Sequence, residues 1–137
     1  MIVGEQKPLE EIKAMLGDGK KILVAGCGTC VTVCFAGGEK EVGILASTLR
    51  LANQVEGKEV EILEQTVKRQ CEWEFVDEMK EKLEQADVVL SLACGIGVQT
   101  TAERFAGKRV LPGLNTSFLG QPIEQGVWTE FCAACGN

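Results

Sequence analysis

Residues 21–38 read KILVAGCGTCVTVCFAGG, and their reading decides the fold. The apolar run Ile22-Leu23-Val24 predicts a short buried strand over 21–25. Beyond a glycine-rich turn, Val42, Leu45, Leu49 and Ala52 recur at helical spacing until Gly57 stops them. A strand, a tight turn and a helix in that order open a βα unit. Turns of this kind often cradle phosphate. This one instead carries Cys27, Cys30 and Cys34 within eight positions.

Working outward, Leu9, Ile12, Met15 and Leu16 fit one face of a short helix ended by Gly17-Asp18-Gly19. A more polar strand is expected over 59–63, as an edge strand would be. Phe75, Val76, Met79, Leu83 and Ala86 mark a further helix, with Asp77, Glu78 and Glu81 on its solvated face. Residues 87–92 form an apolar run that reads as a strand buried on both faces. Cys94-Gly95-Ile96-Gly97 then opens a short helix through Ala102 and Phe105, and residues 108–112 give a last strand. Alternation at these lengths predicts a single α/β domain: an open parallel sheet of about four strands with flanking helices, Rossmann- or flavodoxin-like. The Leu23 and Val89 strands should be central and the Val60 strand at an edge. On this reading residues 1–120 carry the main cysteine site, and 121–137 form a separate C-x-x-C segment.

Composition narrows the chemistry. The chain has 137 residues, a net charge of −6, seven cysteines, and neither histidine nor tyrosine. The absence of any lysine or arginine block argues against nucleic acid. No apolar run approaches the ~20 residues that cross a membrane. The first residues lack signal-peptide character, so the expected location is cytoplasmic. Without histidine, a Ser-His or Cys-His pair is impossible within this chain, and a transition-metal site must rely on thiolates. Seven cysteines in such a protein read as metal or redox chemistry rather than a disulfide framework.

The element order places Cys27, Cys30 and Cys34 just past the first parallel strand, Cys71 after the second and Cys94 after the third. Five thiols should therefore gather at the carboxyl edge of the sheet, where open α/β folds bind their ligands. Burial as small apolar residues suits Cys34 or Cys71 best. A dinucleotide fingerprint fails, because Val31 stands where the third glycine belongs and no acid ends the next strand convincingly at Leu63-Glu64. Three readings stay open: a thiol–disulfide couple at Cys27 and Cys30, a four-thiolate zinc site, and an iron–sulfur cluster. Cys27, Cys30 and Cys94 are the expected ligands, with Cys34 or Cys71 as the fourth.

The segments AGCGTCVTVCFAGGEKEV, TVKRQCEW, LSLACGIGVQTTAERF, VLPGLNTSFLG and WTEFCAACGN together cover most of the chain from about Lys20 onward. In combination they resemble the C-terminal domain family of methylenetetrahydrofolate reductase, the small cysteine-rich, MetV-like partner of a flavin subunit. The resemblance implies an iron–sulfur subunit, here with a 4Fe–4S cluster or, alternatively, zinc. Such a subunit delivers electrons to the flavin-binding partner, which itself reduces methylene-tetrahydrofolate to methyl-tetrahydrofolate. It also implies a non-catalytic role for this chain, with Cys27, Cys30, Cys34, Cys71 and Cys94 as cluster candidates. In that family further cysteines follow the C-A-A-C-G-N stretch. A second site at Cys132 and Cys135 would then be incomplete, as in a truncated chain or a shorter natural variant.

Overall fold

The computed structural model describes residues 1–132; Cys135 lies outside them. Its centre is a four-stranded parallel sheet ordered β3-β2-β4-β5. These strands are β2 (Lys21–Cys27), β3 (Glu61–Val67), β4 (Val88–Leu92) and β5 (Arg109–Pro112). The two inner strands are the two apolar runs: β4 is buried throughout, and β2 from Ile22 to Cys27. A strand flanked by strands on both sides and covered on both faces is apolar at nearly every position. The polar β3 takes an edge, as its glutamates at 61 and 64 require.

Alternate residues of the inner strands enter two separate cores. Ile22, Val24, Val88 and Leu90 face one side, against Ile12 and Leu16 of α1 (Leu9–Leu16) and Val42, Leu45 and Leu49 of α3 (Glu39–Val55). Leu23, Ala25 and Val89 face the other, against Val76, Met79 and Leu83. Those three come from α4 (Trp73–Val76), a 3-10 turn (Asp77–Met79) and α5 (Lys80–Gln85). The expected single helix over this segment is therefore three consecutive pieces. The expected strand at 59–63 begins two residues later and extends to Val67.

A second sheet was not anticipated. Strands β1 (Ile2–Gln6), β6 (Leu114–Glu124) and β7 (Val127–Cys132) form an antiparallel sheet ordered β1-β6-β7. Val3 and Leu114 bury against the α1 and α3 side of the core. Because β6 runs through position 120, the C-terminal segment continues a strand that begins before it.

Two short helices border the carboxyl edge of the parallel sheet: α2 (Cys30–Val33) and α6 (Gly95–Arg104). The turn after α2 brings Gly37 so close to β4 that a Cβ there would overlap the Leu92 carbonyl. That approach lets the Gly37 carbonyl accept the Cys27 N–H at 2.9 Å. No helix among the described residues is long and apolar enough to cross a membrane.

Candidate thiol site

Each cysteine-bearing loop is fixed by its own backbone. Cys27 is the last residue of β2 and almost fully buried. Its carbonyl accepts the Thr32 hydroxyl at 2.8 Å, and the next N–H, that of Gly28, donates to Val67 at 2.9 Å. Thr29 Oγ1 stands 3.8 Å from its sulfur. Cys30 is the first residue of α2 and Cys94 the N-cap of α6. The Gly95 N–H is held by Thr116 Oγ1 of β6 at 3.0 Å, so the second sheet anchors the start of α6.

The loop carrying Cys71 is tied down from outside. Arg69 pairs with Glu72 at 2.7 Å, and Lys68 stacks over the Phe75 ring. Arg104 of α6 grips Asp77 through two bonds of 2.7 Å while lying over the Trp73 ring. This fork holds the segment after Cys71 against the helix that Cys94 caps.

Cys27, Cys30, Cys71 and Cys94 line one cavity of about 70 Å³. Apart from the Thr29 hydroxyl, the rest of its wall is Ile2, Val31, Ala93, Ile96 and Gly97. The space is small, apolar and rich in sulfur. Cys34 is not part of it. Its thiol is buried and donates to the carbonyls of Gly4 at 3.5 Å and Val31 at 3.7 Å. Burial pushes the Cys34 thiol up from its ordinary pKa, and proximity to Cys30 adds to the rise.

Cys71 is exposed, yet its thiol is also pushed up, first by partial desolvation and then by the field of Cys27, with Cys94 adding to the rise and a backbone hydrogen bond and Arg69 opposing it. Cys27 and Cys94 thus stand close enough to Cys71 to oppose its ionisation. A cation between them would reverse that sign, and the chain offers sulfur as its only soft donor because it has no histidine. The donor set therefore fits a four-thiolate centre. Among the described residues, no three Cys, Asp or Glu side chains stand as a ready-made ion shell.

Cys132 and Cys94 both line a larger neighbouring cleft of about 420 Å³, between the start of α6 and the second sheet. Cys132 is exposed, and its expected companion Cys135 falls beyond the described residues.

Sequence reading missed the polar groups beneath the thiols. Gln70, Ser91 and Thr101 are completely buried and bonded to one another. The available signal was Ser91, the one polar residue interrupting the apolar run of β4. Comparison with protein-family models, curated proteins and solved structures finds no match for this chain.

Proposed function

We propose that this chain is the iron–sulfur partner subunit of a methylenetetrahydrofolate reductase complex, delivering electrons to the flavin subunit that reduces methylene-tetrahydrofolate. The observation that carries the reading is the gathering of Cys27, Cys30, Cys71 and Cys94 around one apolar cavity, with Cys34 directed elsewhere. The choice of complex rests on the resemblance of the cysteine-bearing segments described above.

A 4Fe–4S cluster takes four thiolates and, when bound, supplies a one-electron carrier. In this chain the four cysteines provide the thiolates, while Ile2, Val31 and Ile96 keep the surroundings apolar. Ile96 is itself 56% exposed, so the cavity wall is also protein surface. Electron exchange with a partner needs that closeness to the surface, whereas a purely structural staple does not. The chain lacks histidine for proton chemistry on a folate, which supports a non-catalytic role beside the flavin subunit. The free thiols of Cys27, Cys30, Cys34, Cys71 and Cys94 suit a reducing, cytoplasmic compartment.

The same all-thiolate donor set favours a second reading, a zinc site that stabilises the complex. Anaerobic purification with metal analysis and an optical spectrum decides between them. The iron–sulfur reading expects iron and sulfide, with a charge-transfer absorption that bleaches on reduction. Stoichiometric zinc and a featureless visible spectrum overturn it. Metal-free protein with a reversible Cys27–Cys30 disulfide would make the chain a thiol–disulfide protein instead.

A further inference from the structure

Gln70 is completely buried against Gly97, which lines the thiol cavity, and all four hydrogen-bonding positions of its amide are filled. Its Nε2 donates to the carbonyls of Ala25 at 2.9 Å and Gly26 at 3.0 Å. Its Oε1 accepts from the Ser91 hydroxyl at 2.7 Å and the Thr101 hydroxyl at 3.3 Å. The orientation is unambiguous, since carbonyl oxygens can only accept. The Ser91 oxygen in turn accepts the Ala93 N–H at 3.3 Å. One turn before Thr101, Gly97 lets α6 close against the same side chain, because a Cβ there would lie 2.9 Å from Gln70 Cβ.

These bonds have a common destination. Gly26 immediately precedes Cys27, Gln70 itself immediately precedes Cys71, and the Ser91-to-Ala93 bond ends immediately before Cys94. A single amide thus joins the ends of β2 and β4 to the loop after β3 and to α6. An apolar side chain of similar volume could fill the space but could not fix the loops to one another.

We propose that Gln70 is the positioning residue of the thiol site: its amide sets the separation of Cys27, Cys71 and Cys94. The proposal rests on the four-thiolate reading above, and it concerns where sulfur atoms are held, not what they transfer. Groups that orient ligands in this way change metal affinity by about ten- to a hundredfold when removed.

The test titrates cadmium ion into the reduced, metal-free full chain, reading the sulfur-to-cadmium absorption. Phenylarsine oxide, which bridges only thiols held close together, is titrated in parallel. The variants are Gln70→Met, which removes every bond, and Gln70→Glu, which is isosteric but sets a carboxylate against two carbonyls. The Ser91→Ala/Thr101→Val pair removes only the hydroxyls and serves where the Gln70 variants fail to fold. Leu83→Ala, in the separate core on the α5 side, is the control for lost stability.

Gln70→Met, or the hydroxyl pair in its place, should weaken cadmium binding about ten- to a hundredfold. Leu83→Ala, though destabilised, should bind as the native chain does. Equal affinity in the native and Gln70 variants overturns the proposal, as does a loss that Leu83→Ala reproduces. Should the native chain take up no cadmium yet still be bridged by the arsenical, the iron–sulfur reading fails. Gln70 is then judged on the arsenical alone. Binding of neither reagent overturns both.

Discussion

The two ends of the parallel sheet are built from different materials. At the amino edge, charge does the joining. Asp87 accepts the N–H groups of Lys20 and Lys21, both at 3.0 Å, and Glu56 sits between Lys13 and Lys58. Arg109 reaches the carbonyls of Met15 and Leu16 at the end of α1. At the carboxyl edge, four thiols and the buried Gln70 amide form the centre, and the ion pairs of Arg69 and Arg104 only brace the Cys71 loop from outside. Exposed ion pairs are individually weak and tolerant of loss. A buried network whose every member is satisfied fixes geometry and tolerates little. The charged end should therefore tolerate substitution better than the thiol end does.

The largest effect should come from the sulfur end. Replacing Cys27 or Cys94 by alanine should abolish stoichiometric metal, measured as metal per chain after anaerobic purification. Cys34→Ala should retain it, because that thiol bonds to Gly4 and Val31 outside the cavity. Retention by Cys27→Ala and loss by Cys34→Ala would reverse the assignment of the spectator.

Between the two ends, Leu90→Ala removes a fully buried side chain from β4. About 2–5 kcal/mol of stability should go with it, read from urea unfolding. At the charged end, Asp87→Ala frees two backbone donors near solvent and should cost about 1 kcal/mol, with metal content untouched. If Asp87→Ala lowers metal content as well, the two ends are not independent.

The smallest effect is on acid stability. The Lys13 and Lys58 ammonium groups hold the Glu56 carboxyl down at about 2, against an ordinary 4.5. A carboxyl lowered on folding contributes stability above its unfolded pKa. That contribution fades as pH falls from about 4.5 through about 2. The group is exposed and salt screens it, so the slope should be shallow at low ionic strength and nearly absent at high. Glu56→Gln should flatten it, and an unchanged slope would remove Glu56 from the account.

The same division governs what was legible in the sequence. The inner strands announce themselves because burial on both faces leaves no room for a polar residue except Ser91, which has a partner. The gathering of thiols at one edge followed from element order alone. The spectator could not be read in the same way. Cys30 and Cys34 are four residues apart, and a helical turn would set both on one face. Yet α2 ends at Val33, Phe35 takes a left-handed φ of 55°, and Cys34 finds its partner in β1. That strand belongs to the antiparallel sheet, whose exposed, polar stretches such as Glu5-Gln6 and Asn115-Thr116-Ser117 carry almost no periodic signal. Gln70 was hidden for a related reason. A single glutamine beside a cysteine has no pattern, and only the approach of three loops gives it meaning.

The pairing of β1 with β6 also imposes an order in time. Ile2 aligns with Leu119, so the first strand leaves the ribosome long before its ladder partner exists. Until then Ile2 lacks its ladder partner and Thr116 cannot grip Gly95, while the four cavity thiols have already been synthesised. The Ile2 side of the cavity wall therefore closes only after β6 has emerged.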